Sequence, residues 1–414
     1  MYPALCMSHQ AKLQRITAVA SAFTPSAPVD RLDMLAGRMA QLTDVVAAVS
    51  MRGRHVGLYG ERGVGKTSLA TVLAEYFGGT GSEGLQAVLV NCSTDDTFAS
   101  LWRTVFIELG VQPDDDGHLL RPEAVRRALQ ALDRPAIVVI DELDRLEDDD
   151  ALTALADTVK TLSDHAVPST VVLVGVARSI GELVGEHASI VRALVQIEMP
   201  RMTPPELAET FVKCCDRAGL SPTPDAVEEI AALSEGLPHY THLLGLHAGL
   251  NAVQNDRSNI TIGDVRQAIP KAVDRHTILS DYQRATRSAR KDALFSQVLL
   301  ACALAPKNQL GFFTSGAIRD PLQVIAGRRI EIPAFSNHLS QFLEPERGSV
   351  LQREGSSRRY FYRFTDPIFQ PYVILAGLAE GSLTDEQLQY LRALESTADP
   401  TPGEYGQEQQ GRDD

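Results

Sequence analysis

Gly60-Glu61-Arg62-Gly63-Val64-Gly65-Lys66-Thr67 decides how this chain is read. The octapeptide satisfies GxxxxGK[ST], and its setting is the one the pattern requires. An apolar run, His55–Tyr59, precedes it, and a helix-forming stretch, Thr67–Leu73, follows. Each residue type has its own reason. Glycines let backbone N–H groups converge on phosphate oxygens with no Cβ in the way, and the following helix adds its positive end. Lys66 is long enough to reach the β/γ-phosphates, and the Thr67 hydroxyl is a ligand for Mg²⁺. The residues from Gly60 to Ser68 are therefore the expected triphosphate cradle.

A second stretch, Ile137-Val138-Val139-Ile140-Asp141-Glu142-Leu143-Asp144, reads as a buried strand that delivers acids at its C-terminal edge. Ligands of open α/β sheets bind at that edge. Asp141 is expected to hold the Mg²⁺ through water, and Glu142 to orient and deprotonate an attacking water.

Outward from these motifs, short apolar runs alternate with amphipathic stretches over residues 35–200. That is the pattern of a parallel sheet covered on both faces, an α/β core. Its strands are predicted at His55–Tyr59, Ala87–Cys92, Ala136–Asp141, Thr170–Gly175 and Val195–Met199. Residues 1–34, with Phe23-Thr24-Pro25-Ser26-Ala27-Pro28, read as an extended N-terminal arm. Residues 201–273 read as an all-helical unit, opened by Thr203-Pro-Pro-Glu. Residues 274–390 read as helices at Ala293–Leu304, Thr314–Ile325 and Pro333–Leu343, then a hairpin of Ser349–Arg353 and Arg358–Phe364. Residues 391–414 read as an acidic tail.

Composition narrows the class. The chain has 414 residues, 44% hydrophobic and 22% charged, which excludes a wholly disordered protein. No apolar run approaches the roughly 20 residues that cross a bilayer, and the N-terminus lacks a secretory pattern. Five cysteines without metal-ligand spacing fit reduced thiols, and a cytoplasmic, membrane-free protein is expected. The net charge of −14 disfavours nucleic acid as a partner by bulk field. Residues 281–380 run against that trend, with 13 Lys/Arg and 9 Asp/Glu, a net of +4.

The two motifs, with further matches, resemble those of AAA+ ATPases, in particular the origin-recognition type of replication initiator and the signalling ATPases called STAND proteins. Leu35-Ala36-Gly37-Arg38 resembles a box that lies near the adenine, and Leu89–Ser93 resembles the second strand of the initiator group. Gly236-Leu237-Pro238 resembles the lid motif GxP, and Ile260–Val265 the closing lid helix. The likeness covers about residues 30–375. It implies ATP and Mg²⁺ as cofactors, a P-loop parallel-sheet core, a helical lid and a C-terminal winged helix. It also implies an adenine-side role for Arg38, packing of Pro238 on the base, and an arginine offered between subunits at Arg192. Arg178 or Ser179 would be the first polar sensor. The initiators carry an arginine after the lid proline, where this chain has His239, so a slow switch is expected rather than fast turnover.

Three helices and a hairpin are also the order of a winged helix, with Arg358 and Arg359 at the hairpin tip for DNA. The expected recognition helix, Ala334–Gln341, carries no Lys or Arg. Two functions are therefore expected. One is an ATP-hydrolysing switch or remodeller that acts in a homo-oligomer or with a partner protein, on DNA. The other is a slow STAND-like switch whose winged helix docks protein.

Overall fold

A computed structural model of the chain describes residues 3–78, 85–111, 120–184, 190, 193–274, 278–288, 294–308, 311–356 and 359–397. The chain forms two units. The first is Met1–Arg275 with Asp366–Pro371, and the second is His276–Thr365 with Tyr372–Asp414.

In the first unit, helix α1 (Pro3–Ala22) leads to α2 (Met39–Val49), β1 (His55–Gly60) and α3 (Lys66–Gly78). Then come β2 (Gln86–Asn91), α4 (Phe98–Glu108), α5 (Pro122–Gln130), β3 (Ala136–Asp141), α6 (Asp149–Asp164), β4 (Thr170–Val176), α7 (Ile180–Val184) and β5 (Leu194–Glu198). The strands form one parallel sheet in the order β2-β3-β4-β1-β5. All six residues of β3 are buried, as a continuous Val/Ile run in a two-sided sheet requires. Trp102, Val105 and Phe106 of α4 cover the sheet with Val125, Leu155 and Val159. Because every strand runs the same way, the ends of β1 and β3 emerge at one edge, separated only by β4.

The lid follows as α8 (Pro204–Ala218), β6 (Ser221–Pro222), α9 (Pro224–Leu233), α10 (Pro238–Gln254), β7 (Asn259–Ile260) and α11 (Ile262–Asp274). A capping box between Thr203 and Glu206 starts α8, with Pro204 in the first turn. At the other end of the lid, Asp264 is 2% exposed. Burial alone would raise its pKa, but bonds from Arg257, Thr261 and Asn251 outweigh it and hold the carboxyl at about 2. The arm is not extended over its first part. Residues 3–22 are helical, and α1 lies against α8 and α10. Lys12 donates to the Gln254 carbonyl, Arg15 to the Arg257 carbonyl, and Phe23 packs on Phe211.

The second unit contains α12 (Leu279–Thr286), α13 (Phe295–Leu304), β8 (Phe313–Thr314), α14 (Arg319–Ala326), α15 (Ile332–Gln341), β9 (Leu351–Ser356) and β10 (Arg359–Phe364). It continues through most of α16 (Phe369–Ala379) to α17 (Asp385–Thr397). Its antiparallel sheet is ordered β8-β10-β9. This is the helix-then-hairpin order of a winged helix. Phe335, Leu339, Phe342, Tyr362 and Phe364 fill its core. Thr314 pairs in the sheet rather than opening a helix, and the helical turn starts at Arg319. Residues 391–397 continue α17, and the remainder of the tail lies outside the described residues. Among the described residues, no helix is long and apolar enough to cross a membrane.

Candidate nucleotide-binding site

The loop after β1 turns back on itself through Gly63 and Gly65, at φ +86° and +97°, which L side chains rarely adopt. At Gly60 a Cβ would collide with the Met199 carbonyl. Lys66 heads α3 and is 7% exposed. Its Nζ donates to the Gly60 and Glu61 carbonyls at 3.0 and 2.8 Å, so the ammonium closes the loop upon itself. Burial pulls its pKa down to about 8, against the nearby carboxylates of Asp144, Asp141 and Glu61.

Asp141 ends β3 and is 2% exposed. Burial raises its pKa, opposed by the Glu142 N–H, 2.8 Å from Oδ1, and by hydrogen bonding from Thr67. Its Oδ2 is buried with no hydrogen-bond partner. A buried, unpartnered carboxylate oxygen near a threonine hydroxyl is the hard oxygen set that suits Mg²⁺. The phosphate loop and the β3 acids, far apart in sequence, thus meet at one sheet edge. Glu142 has φ +56°, and its Oε2 is 2.9 Å from Arg145 Nη1. The expected base is therefore turned toward an arginine.

Residues 50–183 match the family model of an AAA domain, and this span contains both motifs. The chain resembles that family over this span. It has the AAA+ P-loop fold, with a parallel sheet, helical lid and winged helix. The Walker-type ATPase paby2304 of Pyrococcus abyssi is similar at 16% identity and a TM-score of 0.50, over 85% of this chain and 99% of that one. Cdc6p from Pyrobaculum aerophilum is similar at 17% identity and 0.47, over 88% and 99%. The Aeropyrum pernix ORC1 protein, solved in complex with DNA, is similar at 17% and 0.47, over 86% and 94%. At such identities the likeness is one of fold. No curated protein sequence matches this chain.

Several expected nucleotide residues of the AAA unit turn out to brace the loop. Arg38, 1% exposed, donates from Nη2 to the carbonyls of Val64 and Pro200, while its Nε and Nη1 have no partner. Glu61 pairs with Arg201 at 2.7 Å, and Arg62 with Asp366 at 3.2 Å. A Cβ on Gly65 would come within 3.9 Å of the Pro238 ring, so the start of α10 borders the loop. His239 Nδ1 is 2.9 Å from the Pro25 carbonyl, and burial lowers its pKa. Ser68 Oγ accepts from Val29 N–H. Arg178 and Ser179 serve the next helix: Arg178 N–H donates to Glu182, and Ser179 Oγ accepts from Glu182 N–H. Arg192 and Arg358 lie outside the described residues.

Sequence reasoning missed two features. The segment from Thr24 to Val29 is tied across the lid and α3, with Thr24 N–H donating to His242 Nδ1. Asp366–Pro371 joins the AAA unit. There Tyr240 Oη donates to the Ile368 carbonyl at 2.6 Å, and Arg201 donates to Gln370 Oε1. Only spatial folding brings these partners together, so no local spacing announces them.

Proposed function

We propose that this protein binds ATP with Mg²⁺ at the Gly60–Ser68 loop and acts as a nucleotide-dependent switch with slow hydrolysis. The convergence of Lys66, Thr67 and Asp141 at one sheet edge carries the reading. Lys66 supplies counter-charge to the phosphates, exchanging the Gly60 and Glu61 carbonyls for phosphate oxygens. Thr67 and Asp141 would hold Mg²⁺, which when bound neutralises charge on the phosphate oxygens. Glu142 accepts the proton of the attacking water on its carboxylate once it leaves Arg145. Two observations support slow turnover: Glu142 is paired with Arg145, and His239 is engaged with Pro25. Arg38 sets the loop from beneath, with two donors left for ligand, and Pro238 borders the base side. Arg192 would act between subunits of an oligomer.

The hairpin supports DNA as the partner of the second unit. Arg359, Phe361 and Arg363 alternate on one face of β10, and the guanidinium of Arg359 lies 5.2 Å from the Phe361 ring centre. Arg363 lies 4.9 Å from the Phe312 ring, and Arg353 lies 4.2 Å from Tyr360. Aromatic support stiffens these cations, which suits backbone phosphates. The outward residues Ser336, Asn337 and Ser340 of α15 are uncharged, so contact with phosphates would rest on the hairpin arginines. The same uncharged face keeps protein docking as the second reading. The test is ATPase turnover and gel filtration with and without duplex DNA. DNA-stimulated turnover is expected. Slow, unstimulated turnover with ATP-dependent association would favour protein docking, and absence of ATP binding would refute the nucleotide reading.

A further inference from the structure

We infer that Asp144 is a positioning residue of the nucleotide site, whose carboxylate takes the place of a missing strand partner at the end of β4. The inference rests on the nucleotide reading above. The last pair between β3 and β4 is Ile140 with Leu173, so β4 runs three residues beyond that pair. On its other side it stays paired with β1 to the end, where Val176 stands opposite Gly60, the first residue of the phosphate loop. The exposed backbone of this overhang needs an acceptor on the β3 side. Asp144, on the 3₁₀ turn Leu143–Arg145 that follows the two acids, provides it: Oδ1 accepts from Val176 N–H at 2.7 Å.

The fit is close. A Cβ on Gly175 would collide with Leu183 Cδ1 and would lie 3.1 Å from Asp144 Oδ1 and 3.2 Å from its backbone N, so α7 and the acid turn both press on this glycine. One side chain thus joins the turn bearing Glu142 to a strand end that is itself in register with the phosphate loop. This matters because Arg178 and Ser179, just beyond β4, are engaged with Glu182 of α7. The distance between the acid turn and that segment is held by Asp144. Of the carboxylates around Lys66, Asp144 also acts most strongly on it, which agrees with a place at the site.

Three variants separate this role from simple packing. In Asp144→Ala, kcat for ATP should fall about tenfold while ATP affinity stays within about threefold, as for a lost hydrogen bond that serves geometry rather than binding. Asp144→Asn keeps an oxygen acceptor for Val176 N–H and should restore kcat to within about threefold of the parent. Amide exchange at Val176 should be faster in Asp144→Ala and protected in Asp144→Asn. If Asp144→Ala does not fold, Asp144→Leu, of similar shape without an acceptor, takes its place. Parental kcat in the acceptor-free variant overturns the inference. So does an Asn variant as impaired as that one, which would assign the effect to charge. The exchange readout needs no activity: a protein that binds no ATP but shows the exchange pattern refutes the nucleotide reading and leaves the Asp144–Val176 tie standing.

Discussion

The phosphate loop and the β9–β10 hairpin both carry cations, and they present them in opposite ways. Lys66 is buried and hydrogen-bonded to two carbonyls of its own loop. Arg353 and Arg359 are exposed and rest on aromatic rings. A buried cation in a low-dielectric cradle interacts strongly and only with a ligand that fits, whereas exposed guanidiniums are weakened by water and salt and tolerate many geometries. The contrast teaches that position, more than residue type, separates a site for one small ligand from a surface for a polymer.

Four measurements break or sharpen that contrast, taken from the largest expected effect to the smallest. Glu142→Gln should bind ATP normally and lose about 10²–10⁴-fold in single-turnover hydrolysis, because the amide cannot take the water's proton. Parental turnover would remove Glu142 as the base. Lys66→Ala should weaken ATP binding by about 100-fold in calorimetry, since the cradle loses the buried cation at the head of α3. Unchanged affinity would place the ligand elsewhere.

Acid should act on the buried AAA unit. Burial lowers the pKa values of His55 and His242 to about 4 from 6.5. Between pH 6.5 and 4 the unfolded chain binds protons that the folded one refuses, so stability falls as pH falls through that window. Each residue contributes at most about tenfold per pH unit in the folding constant. Fluorescence of Trp102, the single tryptophan and fully buried, reads this unit's melting. A flat profile would mean that neither imidazole is shielded. Smallest is the hairpin: Arg359→Ala should reduce the salt slope of duplex binding by about 1, a few-fold change between 50 and 200 mM. An unaltered slope would remove Arg359 from the phosphate contacts.

The features legible in the sequence are those whose partners are close along the chain. β1, its loop and α3 are contiguous, and the apolar run of β3 leads straight into its acids, so both motifs and the parallel core follow from local pattern. The predicted strand Ala136–Asp141 has the observed bounds. The aromatic run Tyr360–Phe364 reads as core, and alternation splits it: Tyr362 and Phe364 are buried, while Tyr360 and Phe361 are half-buried. What escaped depends on distance in sequence. The helix in the arm is held by Lys12 and Arg15 through carbonyls some 240 residues away. Glu61 and Arg62 read as cradle residues, yet their side chains answer to Arg201 and Asp366. Asp144 is one more acid in an acidic turn until β4 is placed beside it.

The membership of Asp366–Pro371 in the first unit makes the two units inseparable by a single cut. A truncation ending at residue 275 would remove the carbonyl that the buried Tyr240 hydroxyl donates to, and would strip from Gly63 the Ile368 side chain beside it. The first unit is discontinuous in the gene, and its last piece is translated only after residues 276–365 of the second.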